Sequence, residues 1–70
     1  PADSEFLKTR IESLDLSTRT ANALAHANVR TVGGLARKSE EDLLEIDGLG
    51  DKGIQEIKRV LGSHNLMLRN

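Results

Sequence analysis

The sequence has no cysteine, tryptophan or tyrosine, and only one phenylalanine and one proline. Without cysteine there is neither a disulfide nor a thiolate metal site. The strong nitrogen ligands are limited to His26 and His64, which have no partners at metal-binding spacing. No cofactor or metal is therefore expected. A catalytic constellation is also lacking, because no clustered Ser-His-Asp spacing accompanies either histidine. The run Glu40-Glu41-Asp42 is better explained as negative charge at a helix N-terminus. A non-catalytic domain is predicted.

Long hydrophobic runs are absent too. None approaches the roughly 20 apolar residues that span a bilayer, and no signal-peptide pattern is visible. The expectation is a soluble, intracellular protein. Neither sign of charge is in surplus: ten Lys and Arg face eleven Asp and Glu, a formal net charge of −1. Strong sequence-blind adhesion to nucleic acid needs a basic surplus or a basic face. Any binding to nucleic acid is thus expected to be weak, local and salt-sensitive.

What remains is aliphatic and helical. Seventy residues make one domain near the lower size limit for folding without staples, so stability must come from packing. Eleven Leu, four Ile and three Val supply the core. A sequence this short with such complete punctuation reads as a module cut from a larger protein. Residues 1–10 are assigned to a linker or frayed N-terminal segment and residues 11–70 to the domain. Phe6, Leu7, Ile11 and Leu14 fit either a short helical turn or an irregular strap on the core.

Start and stop signals follow quickly. Ser17 caps a helix over 18–27, and Asn28 suits the left-handed position that ends it. Thr31 caps a very short helix over 32–37, in which the Gly33-Gly34 pair requires tertiary support or close backbone packing. Ser39 to Asp42 resembles a capping box opening a helix that ends near Ile46. The longest amphipathic stretch runs from Asp51 to Leu61, with Ile54, Ile57, Val60 and Leu61 on one stripe and Gly62 as the stop. Leu66, Met67 and Leu68 are expected to fold back as a strap. No alternating segment of useful length exists. The predicted fold is all-α, a compact bundle of four to five short helices.

Two features carry chemistry. Leu43 to Ile57 reads as an apolar helix, a Gly48-Leu49-Gly50 turn and a second helix, the helix-hairpin-helix pattern. Gly48 and Gly50 permit positive φ, and Leu49 points inward to pin the turn. The amides around Gly50 to Gly53 start a helix, where unpaired N–H groups and the macrodipole favour a phosphate, and Lys52 adds charge. Asp51 opposes this by placing a carboxylate at the same helix start. The competing reading is a tight turn whose glycines serve steric needs alone. Upstream, Arg19, Asn22, Ala23 and His26 share a helix face. Arginine and asparagine are groove-reading residues, although a solvated polar face reads the same way.

Taken together, Leu14-Asp15-Leu16-Ser17-Thr18-Arg19-Thr20-Ala21-Asn22, then Ser39 to Leu44, then Gly48 to Lys58, resemble the C-terminal domain of the bacterial RNA polymerase alpha subunit. The resemblance covers about Ile11 to Leu68. It implies a helical domain, joined to the rest of the polymerase by a linker, that docks in the minor groove of AT-rich upstream promoter DNA. Arg19 would enter the groove, Asn22 would assist, Ala23 would lie at a neighbouring contact, and Gly50, Lys52 and Gly53 would hold phosphates. Glu12 and Asp15 match positions that meet the sigma subunit. Glu40 and Asp42 match positions touched by transcription activators. A cytoplasmic, nucleoid-associated location and a monomeric isolated domain are implied as well. Four positions depart from the family: Asp51 replaces a basic residue, Gly53 a serine, Ser13 an acidic residue and Arg10 a proline. Two other readings stay open, a helix-hairpin-helix domain of a repair or recombination protein and a helical protein-interaction module that does not bind DNA.

Overall fold

Short polar side chains start three of the four helices. The computed structural model describes residues 4–69; residues 1–3, part of the segment expected to be frayed, and residue 70 lie outside the described residues. Two 3-10 turns, Phe6–Lys8 and Ile11–Ser13, precede α1 (Thr18–His26), α2 (Val32–Ala36), α3 (Glu40–Leu44) and α4 (Asp51–Gly62). Among the described residues there are no strands, only isolated bridges joining Arg10 to Thr31 and Ser39 to Arg69. The architecture is all-α.

The caps follow from local chemistry. The side-chain oxygens of Ser17, Thr31 and Ser39 accept from the backbone N–H groups of Thr20, Gly34 and Asp42. At Ser39 the arrangement is a full capping box, because the Asp42 carboxylate accepts from the Ser39 N–H at 3.0 Å. Asn28 ends α1 in the left-handed region at φ 63°, and the Val29 N–H returns to the Leu24 carbonyl at 2.9 Å. After α4 the same device appears at Asn65, with φ 60° and the Leu66 N–H bonded to the Leu61 carbonyl at 2.9 Å. The sequence expectation that Gly62 stops α4 is therefore corrected. Gly62 is the last helical residue, and Ser63 keeps right-handed helical angles.

Leu24, Val32, Leu35, Leu43, Ile57 and Leu61 are fully buried, so every helix contributes to one core. The N-terminal turn belongs to this packing. The Thr9 carbonyl accepts from Val32 N–H, the Arg30 carbonyl accepts from Ile11 N–H, and Phe6 and Leu7 lie against the core. Gly33 makes that approach possible, since a Cβ there would stand 3.2 Å from the Leu7 carbonyl oxygen. Ordered packing thus starts before Ile11, where the sequence placed the beginning of the domain. At the other end Leu66 and Leu68 fold onto the core, Met67 between them is 75% exposed, and Arg69 N–H bonds to the Lys38 carbonyl.

One long-range polar contact joins α1 to α4. The Glu56 carboxylate, on α4, accepts from the Ser17 N–H at 2.7 Å, the Ser17 hydroxyl at 3.1 Å and the Thr20 hydroxyl at 3.1 Å. Thr20 is the one buried polar residue among those described. In an ordinary capping box the acid stands three residues after the cap. Here that position holds Thr20, and the acid arrives from 39 residues away. The hydrogen bond from the Ser17 backbone, with those from the two hydroxyls, holds the Glu56 carboxyl below its usual value of 4.5.

A group with a depressed folded-state pKa stabilises the fold fully above its unfolded value and loses that contribution as pH falls through the folded value. Glu56→Gln is therefore expected to lower Tm at neutral pH, with the gap to wild type closing as pH drops below about 4.5. Thermal melts followed by circular dichroism across that range measure it; a constant gap would rule out the carboxylate charge as the cause. A second expectation concerns Gly53, where a Cβ would lie 2.6 Å from Leu49 Cδ1 and 3.1 Å from Thr20 Oγ1. Gly53→Val should cost about 1–3 kcal/mol through overpacking, read as a lower urea midpoint at unchanged slope. An unchanged midpoint would mean that Leu49 yields without cost.

Candidate nucleic-acid interface

The contact between Glu56 and Ser17 sets two helix N-termini beside each other. Between them runs an open groove of about 590 Å³ whose lining includes Arg19, Gly48, Gly50, Asp51, Lys52 and Glu56. A helix N-terminus presents unpaired N–H groups and the positive end of the macrodipole. At α1 this potential is already met from within the fold, through Ser17 and Glu56. At α4 it is not. Gly50 is the cap residue and has no side chain to offer, so no side-chain cap is made, and the first bond of the helix is Ile54 N–H to the Gly50 carbonyl at 3.1 Å. Asp51 and Lys52, at the first two helical positions, are exposed beside it.

Of the two hairpin glycines expected to permit positive φ, one does so and the other does not. Gly48 has φ 86°, the left-handed turn position, and it packs over α1, since a Cβ there would meet Ala23 Cβ at 3.7 Å. Gly50 is extended, with φ −108°, so positive φ is not its role; a Cβ on it would meet nothing within 4 Å. Gly53 is buried beneath Leu49 and beside Thr20 and forms floor, not an open cradle. Leu49 points inward as expected and is 6% exposed.

Of the residues singled out on α1, Arg19, Asn22 and His26 are exposed. Ala23 is 6% exposed and belongs to the core. The helix turns 100° per residue, and Ala23 falls on the flank shared with Thr20 and Leu24. Arg19, Gly50 and Lys52 come together on one groove, whereas Asn22 lines another on the far side of α1. Glu56 and Thr20 went unnoticed in the sequence, where nothing local pairs Ser17 with an acid so far along the chain.

The docking candidates lie in two places. Glu12 is exposed and pairs with Arg10 at 3.2 Å, and Asp15 is exposed near Arg59 and His64. His64 is stacked on Phe6, with ring centroids 3.5 Å apart. At the start of α3, Glu40 is ion-paired with Lys58, and Asp42 combines its capping role with Arg69 at 3.7 Å. The hydrogen bond from the Ser39 backbone holds the Asp42 carboxyl below its usual range. Glu40 and Asp42 are thus already engaged within the domain, whereas Glu41 between them is exposed. Among the described residues no three His, Cys, Asp or Glu side chains converge on a possible metal position, and no helix is long and apolar enough to cross a membrane.

Comparison with known proteins gives this geometry a context. Residues 1–63 match the family model for the C-terminal domain of the bacterial RNA polymerase alpha chain. The sequence is 44% identical over 65 residues to the DNA-directed RNA polymerase subunit alpha of Alkaliphilus oremlandii, and 46% identical over 65 residues to that of Borreliella afzelii. Each match covers 93% of this chain but only 20% and 19% of the relative, so the chain spans about one fifth of their length. The NMR structure of the C-terminal domain of the RNA polymerase alpha subunit from Helicobacter pylori superposes with a TM-score of 0.83 at 31% identity, covering 96% of this chain and 61% of that one. With a family model spanning most of its length, relatives above 40% identity and the same fold in a solved member, the protein belongs to the family of C-terminal domains of the bacterial RNA polymerase alpha chain.

Proposed function

We propose that this domain binds the minor groove of AT-rich upstream promoter DNA and so tethers RNA polymerase at the promoter. The observation that carries the reading is the convergence of exposed Arg19 and Lys52 on the uncapped start of α4. Arg19 enters the minor groove, where narrow AT-rich sequence concentrates negative potential. Gly50 approaches a phosphate closely because it carries no side chain, and Lys52 adds a charge-assisted contact. Asn22, one helical turn from Arg19, supports the contact along the same helix. Gly53 acts through shape, by letting Leu49 seat the turn. Ala23 serves in the same indirect way beneath Gly48.

The remaining assignments follow family membership and the placement of acids. Exposed Glu12 and Asp15 form the surface offered to the sigma subunit. The start of α3, with Glu40 and Asp42, is the surface offered to activators, which must loosen Glu40 from Lys58 to use it. The setting is cytoplasmic, on the nucleoid. The mechanism is tethering, in which several weak contacts raise the local concentration of a linked partner.

An amide chemical-shift titration with AT-rich and GC-rich duplexes at low salt tests the reading. Shifts at Arg19, Asn22 and Gly50 to Lys52, larger with the AT duplex, are expected; equal shifts confined to the hairpin would indicate a generic backbone binder. Arg19→Ala should abolish the AT preference and cost about 1–3 kcal/mol of binding, and unchanged affinity would remove the minor-groove model. Asp51→Lys should tighten binding and steepen its salt dependence by about one unit of slope. A variant that binds no better would argue that phosphates stay away from this turn.

A further inference from the structure

The phosphate contacts proposed above, at Gly50 and Lys52, lie on one flank of α1, yet a minor groove has a phosphate wall on each side. An α-helix with its side chains is about 10–12 Å across, against a minor groove roughly 6 Å wide. Such a helix rides above the groove and reaches in with a side chain, leaving one DNA strand along each of its flanks. On the first flank stand Gly50 and Lys52. On the second runs another open groove, of about 330 Å³, lined by Asn22 and Ala25 of α1 and by Arg10, Glu12 and Arg30. Asn22 belongs to α1's exposed face and also to this second groove, so the surface is continuous across the helix.

The two arginines of the second groove differ. Arg10 is paired with Glu12 at 3.2 Å, which offsets its charge. Arg30 is exposed, and among the described residues its guanidinium makes no ion pair or hydrogen bond. Its backbone is held, because the Arg30 carbonyl accepts from Ile11 N–H at 2.9 Å and the next residue caps α2. A rooted cation whose side chain serves no contact in the fold thus stands on the flank that lacks a phosphate partner. The first flank is the weaker one electrostatically, since Asp51 offsets Lys52 there.

Building on the minor-groove reading, we infer that Arg30 contacts a phosphate of the second DNA strand, across the groove from Lys52, so that Arg19 is inserted between two backbone contacts. Such a clamp fixes the position of α1 over the groove and adds affinity without reading bases.

Fluorescence anisotropy of an AT-rich duplex against salt concentration, for the wild-type domain, Arg30→Ala and Arg37→Ala, tests it. Arg37 is an exposed arginine lining a different groove and serves as the control. Removing one phosphate contact should reduce the slope of log K against log salt by about 0.9, which is about tenfold in affinity at low salt and fades at high salt. That loss is expected for Arg30→Ala with the AT preference retained, and no change is expected for Arg37→Ala. Neutral methylphosphonate linkages placed on one strand at a time add a strand-resolved readout. Those on the strand facing Arg30 should weaken the wild type and leave Arg30→Ala unaffected. Wild-type binding that depends on Arg19 but is indifferent to Arg30 would overturn the clamp and leave the minor-groove reading standing. Equal losses in the Arg30 and Arg37 variants would reduce Arg30 to general charge, and no binding to either duplex would overturn both readings.

Discussion

The geometry of the proposed interface depends on a carboxylate supplied to one helix by another. The N-terminus of α1 needs an acceptor for the Ser17 N–H, and the acceptor is Glu56, in the second turn of α4. This is a capping box split between two helices: Ser17 provides the local half, and the acid arrives through tertiary structure. The arrangement aligns the two helix starts and excludes their independent rotation, because both carboxylate oxygens are bonded to α1. Arg19 on one helix and Lys52 on the other consequently face one groove. It also differentiates two equivalent electrostatic sites. The start of α1 is capped from within the fold, whereas the start of α4, behind a capless glycine, is opposed only by Asp51 in its first turn.

Much of the fold was legible because its determinants are short-range. Ser17, Thr31 and Ser39 cap helices with hydrogen bonds three residues long, and Asn28 adopts the left-handed conformation its side chain tolerates. The hairpin was legible as a pattern, and Gly48 takes the positive φ expected of it, whereas Gly50 is extended and Gly53 is buried. Gly53 lies one helical turn before Ile57, on the apolar stripe, so the signal that it faces inward was present in the periodicity. Ala23 carries a similar signal through Leu24. What could not be read was pairing at a distance. Nothing near Ser17 announces Glu56. Asn65, in contrast, is a local signal of the same kind as Asn28, overshadowed by the glycine three residues before it. The N-terminal turn was visible only as scattered apolar residues, since its order comes from the backbone of Thr9 and Val32 and from the close approach at Gly33.

The charge pattern has the same logic at the level of the surface. A net charge of −1 conceals an uneven use of the acids. Glu56 and Asp42 are consumed as helix caps, and both are held ionised by backbone hydrogen bonds. Glu40 is held by Lys58 across α3 and α4. Before α1, Glu5 and Glu12 stand beside Lys8 and Arg10, whereas Glu41, Glu45 and Asp47 are exposed and enter no ion pair among the described residues. The same residue type serves as cap, ion-pair partner or solvated surface, and geometry decides which.

The stacking of Phe6 on His64 fixes which end of α4 the N-terminal turn occupies. His64 lies two residues past the end of the helix and Gly50 just before its start, so 12 helical residues, or about 18 Å of axial rise, separate the two. Phe6 and the Thr9–Val32 hydrogen bond therefore order the start of the described chain at the end of α4 remote from Gly50 and Lys52. Neither contact lines the groove that Arg19 and Lys52 share, and the N-terminal turn leaves that groove uncovered.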